Sequence, residues 1–580
     1  QKDHSAQSPS GQKASCVFDI AKRYFRGHSG VRLRQWATAS NFKVMTTDDK
    51  LEPQILEGDD ALVLWRKGWA KWNEWIAENP GCSISFAGHD FSKEEKPPEF
   101  GGYEFGDGRV DFSRVNFGNR DVSFVRSTFG KGDVNFSKAK FGDRDTNFKE
   151  TVFGEGNINF SDAIFGKGAV KFSKVDFGSG NVDFSKATFG NRGVYFSKAK
   201  FGDGGVDFSE ADFGKGSVDF FHTNFGSGTI NFHRAVFNGT SANFSHATFG
   251  KGRVNFSHAT FGKGVVDFSM TTFDDTYLNF FFTTFGDGVV NFFESNFGNG
   301  GVNFLDSNFG ETEINFDWAK LENFMFQPKV IGSGVFSAEG LSVGRTAELV
   351  LPPSASSLKS FNLYSASFDG PLTLKANLEI VPDLRGTKSS HQVELSRLNI
   401  KLCRIPMARN WFKKFSAVAE DHEDAARLRR LKEIAESNKD HQAALRFSAD
   451  ENRARRWRET SWFGSVLDMA FSACSNYGQS ILRPFVALFL LAAASMGIYK
   501  ELATSTFTAW WKAWEHATLL SISNSLPFLP QSRGLREGAL KALYPGDPGF
   551  WVDALMIFQG VFSFVFLFLI GLGLRNRFRL

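Results

Sequence analysis

The chain has 580 residues, including 67 Phe and 57 Gly against 16 Pro and 4 Cys, and is long enough for about three or four ordinary domains. Its 42% hydrophobic residues exclude a disordered chain, and Cys16, Cys82, Cys403 and Cys474 lie too far apart for a disulfide scaffold or a C-x-x-C metal site. The formal net charge is only +4, so the placement of charge says more than its sum.

In chain order, residues 1–52 are polar, and the first 15 do not read as a secretory leader. Residues 53–79 predict a single helix that gathers Leu56, Leu64, Trp65, Trp69, Trp72 and Trp75 near one side, and 53–104 read as this cap helix and a first coil. A twelve-residue unit, F-G-x-G-x-V-x-F-S-x-A-x, then fills 105–320. Its first Phe recurs from Phe105 to Phe309 and its second from Phe112 to Phe316, 18 copies of each without an insertion. A period held for so long means a solenoid.

Each unit divides into one step of seven residues and one of five. The residue two before each Phe is small or β-branched, as at Val110, Val134, Ala139 and Ala187, so both point inward from extended backbone. Four steps closing one coil make it 24 residues long, and two steps would make a flat coil of half that length. The longer coil is expected, because two Phe plus Val and Ala per unit fill a square core. Phe281 and Leu305 then share one face, while Phe221 and Phe293 share the opposite one.

Between Val and Phe stands Asp or Asn in most copies (Asp111, Asn135, Asn159, Asp183, Asp207, Asn231, Asn255). This order resembles the pentapeptide-repeat family, and the resemblance implies a right-handed quadrilateral β-helix. Alternate pentapeptides here carry two added residues, mostly inside Gly-x-Gly, where positive φ at a corner is expected. Residues 321–402 lose the period and read as irregular closing coils.

The repeat surface balances acidic and basic residues, which argues against a nucleic-acid mimic or partner. His222, His246 and His258 share one unit position with no carboxylate or Cys ladder beside them, so no metal site is expected. No nucleophile stands beside a base. The reading is of a protein that is not an enzyme and takes no cofactor. The outward Ser of the unit gives way to Phe221, Phe281, Phe293 and Leu305, and the next position to Met270 and Phe282. This apolar stripe marks a covered surface, against helices in 409–459 or a second subunit, with Phe221, Phe281, Phe282, Phe293 and Leu305 as candidate interface residues.

Residues 403–470 read as a charged helical linker, with Leu428, Leu431, Ile434 and Ala435 at helical spacing. The remainder, 471–580, reads as a membrane domain: 485–499, extended by 481–484, and 551–574 are apolar enough to span. Arginines at 453–458 and at Arg575, Arg577 and Arg579 flank the two spans on one side, which puts the β-helix and C-terminus in the cytoplasm. Between the spans, an amphipathic helix over 507–522 with Trp510, Trp511 and Trp514 leads into Ser523-Asn524-Ser525-Leu526-Pro527-Phe528.

Helix, polar turn with Pro, then a second span is an order similar to that of two-transmembrane ion channels. With 427–432, 475–480 leading to Arg483-Pro484, and 574–579, the chain resembles pentapeptide-repeat proteins that carry a C-terminal ion-channel-like domain. The resemblance implies a multi-pass protein of the bacterial inner membrane, with the lipid bilayer, ions and further copies of itself as partners. Potassium selectivity is not implied, because the turn has no glycine where potassium channels have Thr-Val-Gly-Tyr-Gly. Two spans cannot enclose a conduit alone, so a pore requires a homo-oligomer. Ser521, Ser523, Asn524, Ser525, Gln559 and Ser563 are the candidate pore-lining residues. A membrane-anchored scaffold without conduction is the alternative.

Overall fold

In the computed structural model, which describes residues 55–239, 241–406, 417–506, 509–526 and 529–578, backbone pairing decides the coil. Val110 pairs with Val134, Val134 with Ile158 and Ile158 with Val182, always parallel and in register. On the opposite side Val122 pairs with Thr146, and Thr146 with Val170. The two remaining sides make single bridges in the earlier coils, such as Asn116 to Lys140 and Thr128 to Val152, and two-residue ladders later, as where Val236 and Phe237 pair with Thr260 and Phe261. The partners stand 24 residues apart, so the coil is four-sided and the flat alternative is excluded. With Asn279 opposite Asn303, Phe281 and Leu305 occupy neighbouring coils on one side; Phe293 lies on the other. The expected segment 1–52, the start of the expected cap helix, Phe507, Pro527, Phe528 and Arg579 lie outside the described residues.

Phenylalanine fills the interior as four columns. Phe112 stacks on Phe136 at 4.9 Å, Phe117 on Phe141 at 4.8 Å, Phe124 on Phe148 at 4.7 Å and Phe129 on Phe153 at 4.8 Å. Columns meet edge to face, as where Phe112 meets Phe124 at 5.4 Å and 88°. Such pairs add about 0.5–1.5 kcal/mol each beyond burial. The polar residue between Val and Phe has its own work: the Asp111 carboxylate accepts the Ser113 amide at 2.8 Å, and Asn135 accepts that of Ser137 at 3.0 Å. On one side the Asn side chains also chain together, Asn255 donating to Asn231, Asn279 to Asn255 and Asn303 to Asn279 at 3.1–3.2 Å.

Positive φ occurs at several repeat glycines, such as Gly106, Gly118, Gly142 and Gly178, but the position that is left-handed in every unit carries no glycine. The second residue after each second Phe, from Arg114 to Trp318, has φ between +53° and +61° in all 18 units, and none of them is Gly. Some repeat glycines are left-handed, but others, such as Gly132, are needed for space. A Cβ on Gly132 would run into the Gly108 carbonyl of the preceding coil.

Both ends are closed by helices. At the start, α1 (Gly58–Arg66) and α2 (Trp69–Glu78) replace the single helix expected over 53–79; Gly68 breaks it at φ +89°. Trp65 and Trp72 are fully buried, and their ring N–H groups donate to the Glu99 and Glu104 carbonyls at 3.1 and 2.7 Å. Trp69 points outward instead, at 59% exposed.

At the other end, the pairing steps become irregular, with a bulge between Leu321 and Asn323, and strands persist to Ile400. Helices α3 (Asp424–Ser437) and α4 (His441–Arg455) then lay Ala425, Leu428, Leu431 and Phe447 into the core that holds Leu384, Val393 and Leu398. Polar contacts fasten them: Arg385 reaches Asp383 and Glu423, Arg430 donates to the Thr387 carbonyl at 2.7 Å, and Asn438 donates to that of Val393. The segment read as a linker is therefore a lid on the solenoid. Its polar partners in the solenoid fall on residues 383–399 rather than on the apolar stripe, where Phe281, Phe293 and Leu305 stay half-buried and Met270 and Phe282 are exposed.

Two tests follow from this packing. Phe184→Ala opens a hole in a column and is expected to lower stability by about 3–5 kcal/mol in denaturant titration. Lys186→Gly, at φ +56°, is expected to be neutral or to stabilise by up to about 1 kcal/mol. In the lid, burial and then the charge of Asp421 push the Asp424 carboxyl up to about 6. A carboxyl raised in the folded state destabilises progressively as pH rises from about 4 to 6. Melting curves across that range should therefore show a loss of stability on raising pH that is smaller in Asp424→Asn.

Candidate functional site: a helical hairpin between two apolar helices

Two helices of the C-terminal region are long and apolar enough to cross a membrane. They are α6 (Leu482–Glu501) and α9 (Phe550–Phe578), with mean hydropathy of 1.7 and 2.4 over their most apolar windows. Those windows are only 17% buried. The core helix of a soluble protein would be mostly covered, whereas Phe485, Phe489, Leu490, Phe558, Phe564 and Phe568 are all more than half exposed. At 1.5 Å per residue α6 is about 30 Å long, the thickness of the hydrocarbon layer.

Helices α7 (Trp510–Ser525) and α8 (Pro530–Leu543) form a hairpin that leaves and rejoins the same end of α6. The Thr504 amide donates to the Leu543 carbonyl at 3.1 Å, and the Tyr544 hydroxyl donates to the Tyr499 carbonyl at 2.8 Å. The tip reaches halfway along α6: the Ser521 hydroxyl donates to the carbonyl of Ala492, in the middle of that helix, at 2.7 Å. Apolar packing of Ala517, Leu520, Ala539, Leu543 and Val552 holds the hairpin above this point.

Gln559 of α9, fully buried, is the hub. Its amide N–H group donates to the Ser521 carbonyl at 2.9 Å, the Ser521 hydroxyl at 2.8 Å and the Ser525 hydroxyl at 2.9 Å. Its carbonyl oxygen accepts the Tyr499 hydroxyl at 2.8 Å and the Asn524 amide at 3.2 Å. Asn524 also donates to the Met556 carbonyl at 2.9 Å. Every polar atom of the Gln559 side chain thus has a partner, which is what a buried amide in an apolar setting requires.

Four candidate residues from the sequence, Ser521, Asn524, Ser525 and Gln559, therefore meet in one network inside a single chain. Ser523 bonds back to the Leu520 carbonyl of its own helix at 3.0 Å. Ser563 lies one turn along α9 from Gln559, fully buried, and its hydroxyl has no partner among the described residues. Tyr499, Tyr544 and the whole of α8 escaped sequence reasoning. A Tyr at the end of an apolar run looks like a membrane-interface anchor, and the sequence of α8, with Arg533, Arg536, Glu537 and Lys541, does not resemble part of a buried unit.

Comparison with protein-family models, with curated proteins and with solved structures gave no match to this chain. The geometry alone therefore carries the functional argument.

Gln559→Leu removes both amide functions at once and leaves Tyr499, Asn524 and Ser525 short of partners. The expected result is a loss of roughly 3 kcal/mol or more, since each buried polar group left unpaired costs about 1–3 kcal/mol. Ser563→Ala should change little. Thermal unfolding of the two variants in detergent measures the contrast.

Proposed function

We propose that this is a channel-like membrane protein in which several copies assemble around an axis, each contributing α9 and the α7–α8 hairpin. The observation that carries the reading is the hairpin itself, which enters from one end of the spans and stops at mid-depth, pinned to Ala492 and Gln559. Backbone that ends inside a bilayer must be covered by protein or line water. Leu529, exposed where α8 begins, fits that requirement only if other chains or a conduit surround the tip. In this reading Ser521, Asn524, Ser525 and Gln559 position the tip, while the tips of several copies define the conduit. The β-helix is then a large cytoplasmic body, kept with the arginines at the same end of the spans. The four-sided coil and its small–Asp/Asn–Phe order support placing the solenoid with pentapeptide-repeat β-helices.

One observation favours the second reading, a membrane-anchored scaffold. The polar network around Gln559 is satisfied within one chain, so it needs no neighbour and no ion. Ion flux from liposomes containing the purified full-length protein separates the two. Flux that Gln559→Leu alters supports the channel-like assembly. Sealed liposomes across a range of ions, pH and voltage, with the protein folded, would establish the scaffold instead.

A further inference from the structure

Helix α5 (Trp462–Ser475) is built inside out. Ser465, Asp468, Ser472 and Ser475 recur at helical spacing, and this polar face turns inward. Ser465 and Ser475 are fully buried; their hydroxyls accept the Trp457 amide at 3.1 Å and the Gly478 amide at 3.0 Å. The Asp468 carboxylate accepts Arg456 Nε at 2.7 Å and the Tyr477 hydroxyl at 3.0 Å. On the opposite face Trp462, Phe463 and Leu467 are 72%, 66% and 55% exposed. A helix on the surface of a water-soluble protein shows the reverse arrangement.

The level of α5 is set by its contacts to both spans. Arg483, in the first turn of α6, donates to the Ser472 carbonyl at 3.2 Å. Asn576, in the last turn of α9, donates to the Gly478 carbonyl at 3.1 Å, just beyond the end of α5. Gly478 is left-handed at φ +74°, and a Cβ there would crowd the Leu572 side chain, so the elbow is held tightly against α9. With 14 residues, α5 is about 21 Å long and too short to span. Arg483, Arg575 and Arg577 are exposed at this same level.

We propose that α5 lies along the boundary between headgroups and acyl chains of the leaflet nearest the solenoid, its apolar face in lipid, with anionic phospholipid headgroups held by Arg483, Arg575 and Arg577. The proposal rests on the membrane reading above. A lipid leaflet is the occupant that serves both features at once, since acyl chains cover Trp462, Phe463 and Leu467 while phosphates neutralise the adjacent guanidinium groups. A second copy of the chain would cover the apolar face but would bring its own arginines to the same level.

The test uses full-length protein in bilayers of phosphatidylglycerol and phosphatidylcholine. Spin labels are placed at Phe463→Cys, Leu467→Cys and, as a span control, Phe564→Cys, with the native cysteines replaced by alanine. Labels at 463 and 467 should be more accessible to oxygen than to a water-soluble nickel chelate, at shallow depth, with 564 deep. Water accessibility at 463 and 467 with 564 still deep would overturn the placement of α5 alone. Water accessibility at all three would overturn the membrane reading itself. Protection of 463 and 467 from both reagents would mean that protein covers the helix, and would also overturn the proposal. In native mass spectrometry, replacing Arg483, Arg575 and Arg577 together by Gln should reduce retained phosphatidylglycerol several-fold and leave phosphatidylcholine unchanged. Unchanged retention would overturn the headgroup assignment.

Discussion

A Phe ring in one coil can stack on the ring 24 residues later only if every intervening corner turns in the same way, and this demand shapes the whole solenoid. It explains why Asp111 and its equivalents cap the Ser113 amide, why Arg114 and its equivalents accept a left-handed backbone, and why Gly132 has no side chain. A single misplaced residue would shift a column by a fraction of a ring and weaken contacts on both sides of it. The stacked core then needs lids, because its end faces are as apolar as its centre. Trp65 and Trp72 supply one lid; Leu428, Leu431 and Phe447 supply the other.

The periodic part was legible because each core residue repeats with its own spacing. Phe and Val two residues apart reveal direction, and the bulk of two Phe plus Val and Ala per unit favours four sides over two. The corner geometry was less legible. Glycine reads as permission for positive φ, yet Gly132 is required by an approaching carbonyl, a fact that belongs to the neighbouring coil. The N-terminal helix was read as continuous because its Trp spacing survives the break at Gly68. The segment around Leu428 and Leu431 was read as a linker because its outer face is densely charged, although the pairing of Arg385 and Arg430 with the last coils makes it a lid.

The candidate site was legible in its residues but not in their relation. Ser521, Asn524, Ser525 and Gln559 stood out as polar groups in apolar surroundings, and such groups draw attention whether they line water or tie helices together. Hydrogen-bond partners decide between these, and Tyr499 and the Ala492 carbonyl cannot be assigned as partners before the fold is known. Helix α5 was hidden for a related reason. Its alternation of Ser and aromatic residues is that of an ordinary amphipathic helix, and only the burial of Ser465 and Ser475 reveals which face turns outward.

The solenoid, its lid and the elbow after Ser475 form a continuous chain of packed and hydrogen-bonded parts down to the ends of both apolar helices, α6 and α9. The hairpin lies at the far end of those two helices, tied to their middle by Gln559. An image of the full-length protein in lipid nanodiscs tests this account most directly. It should resolve several chains around one axis, with all rods on one face and each α7–α8 hairpin turned toward the axis at mid-bilayer. A single chain per disc, or hairpins facing the surrounding lipid, would contradict it.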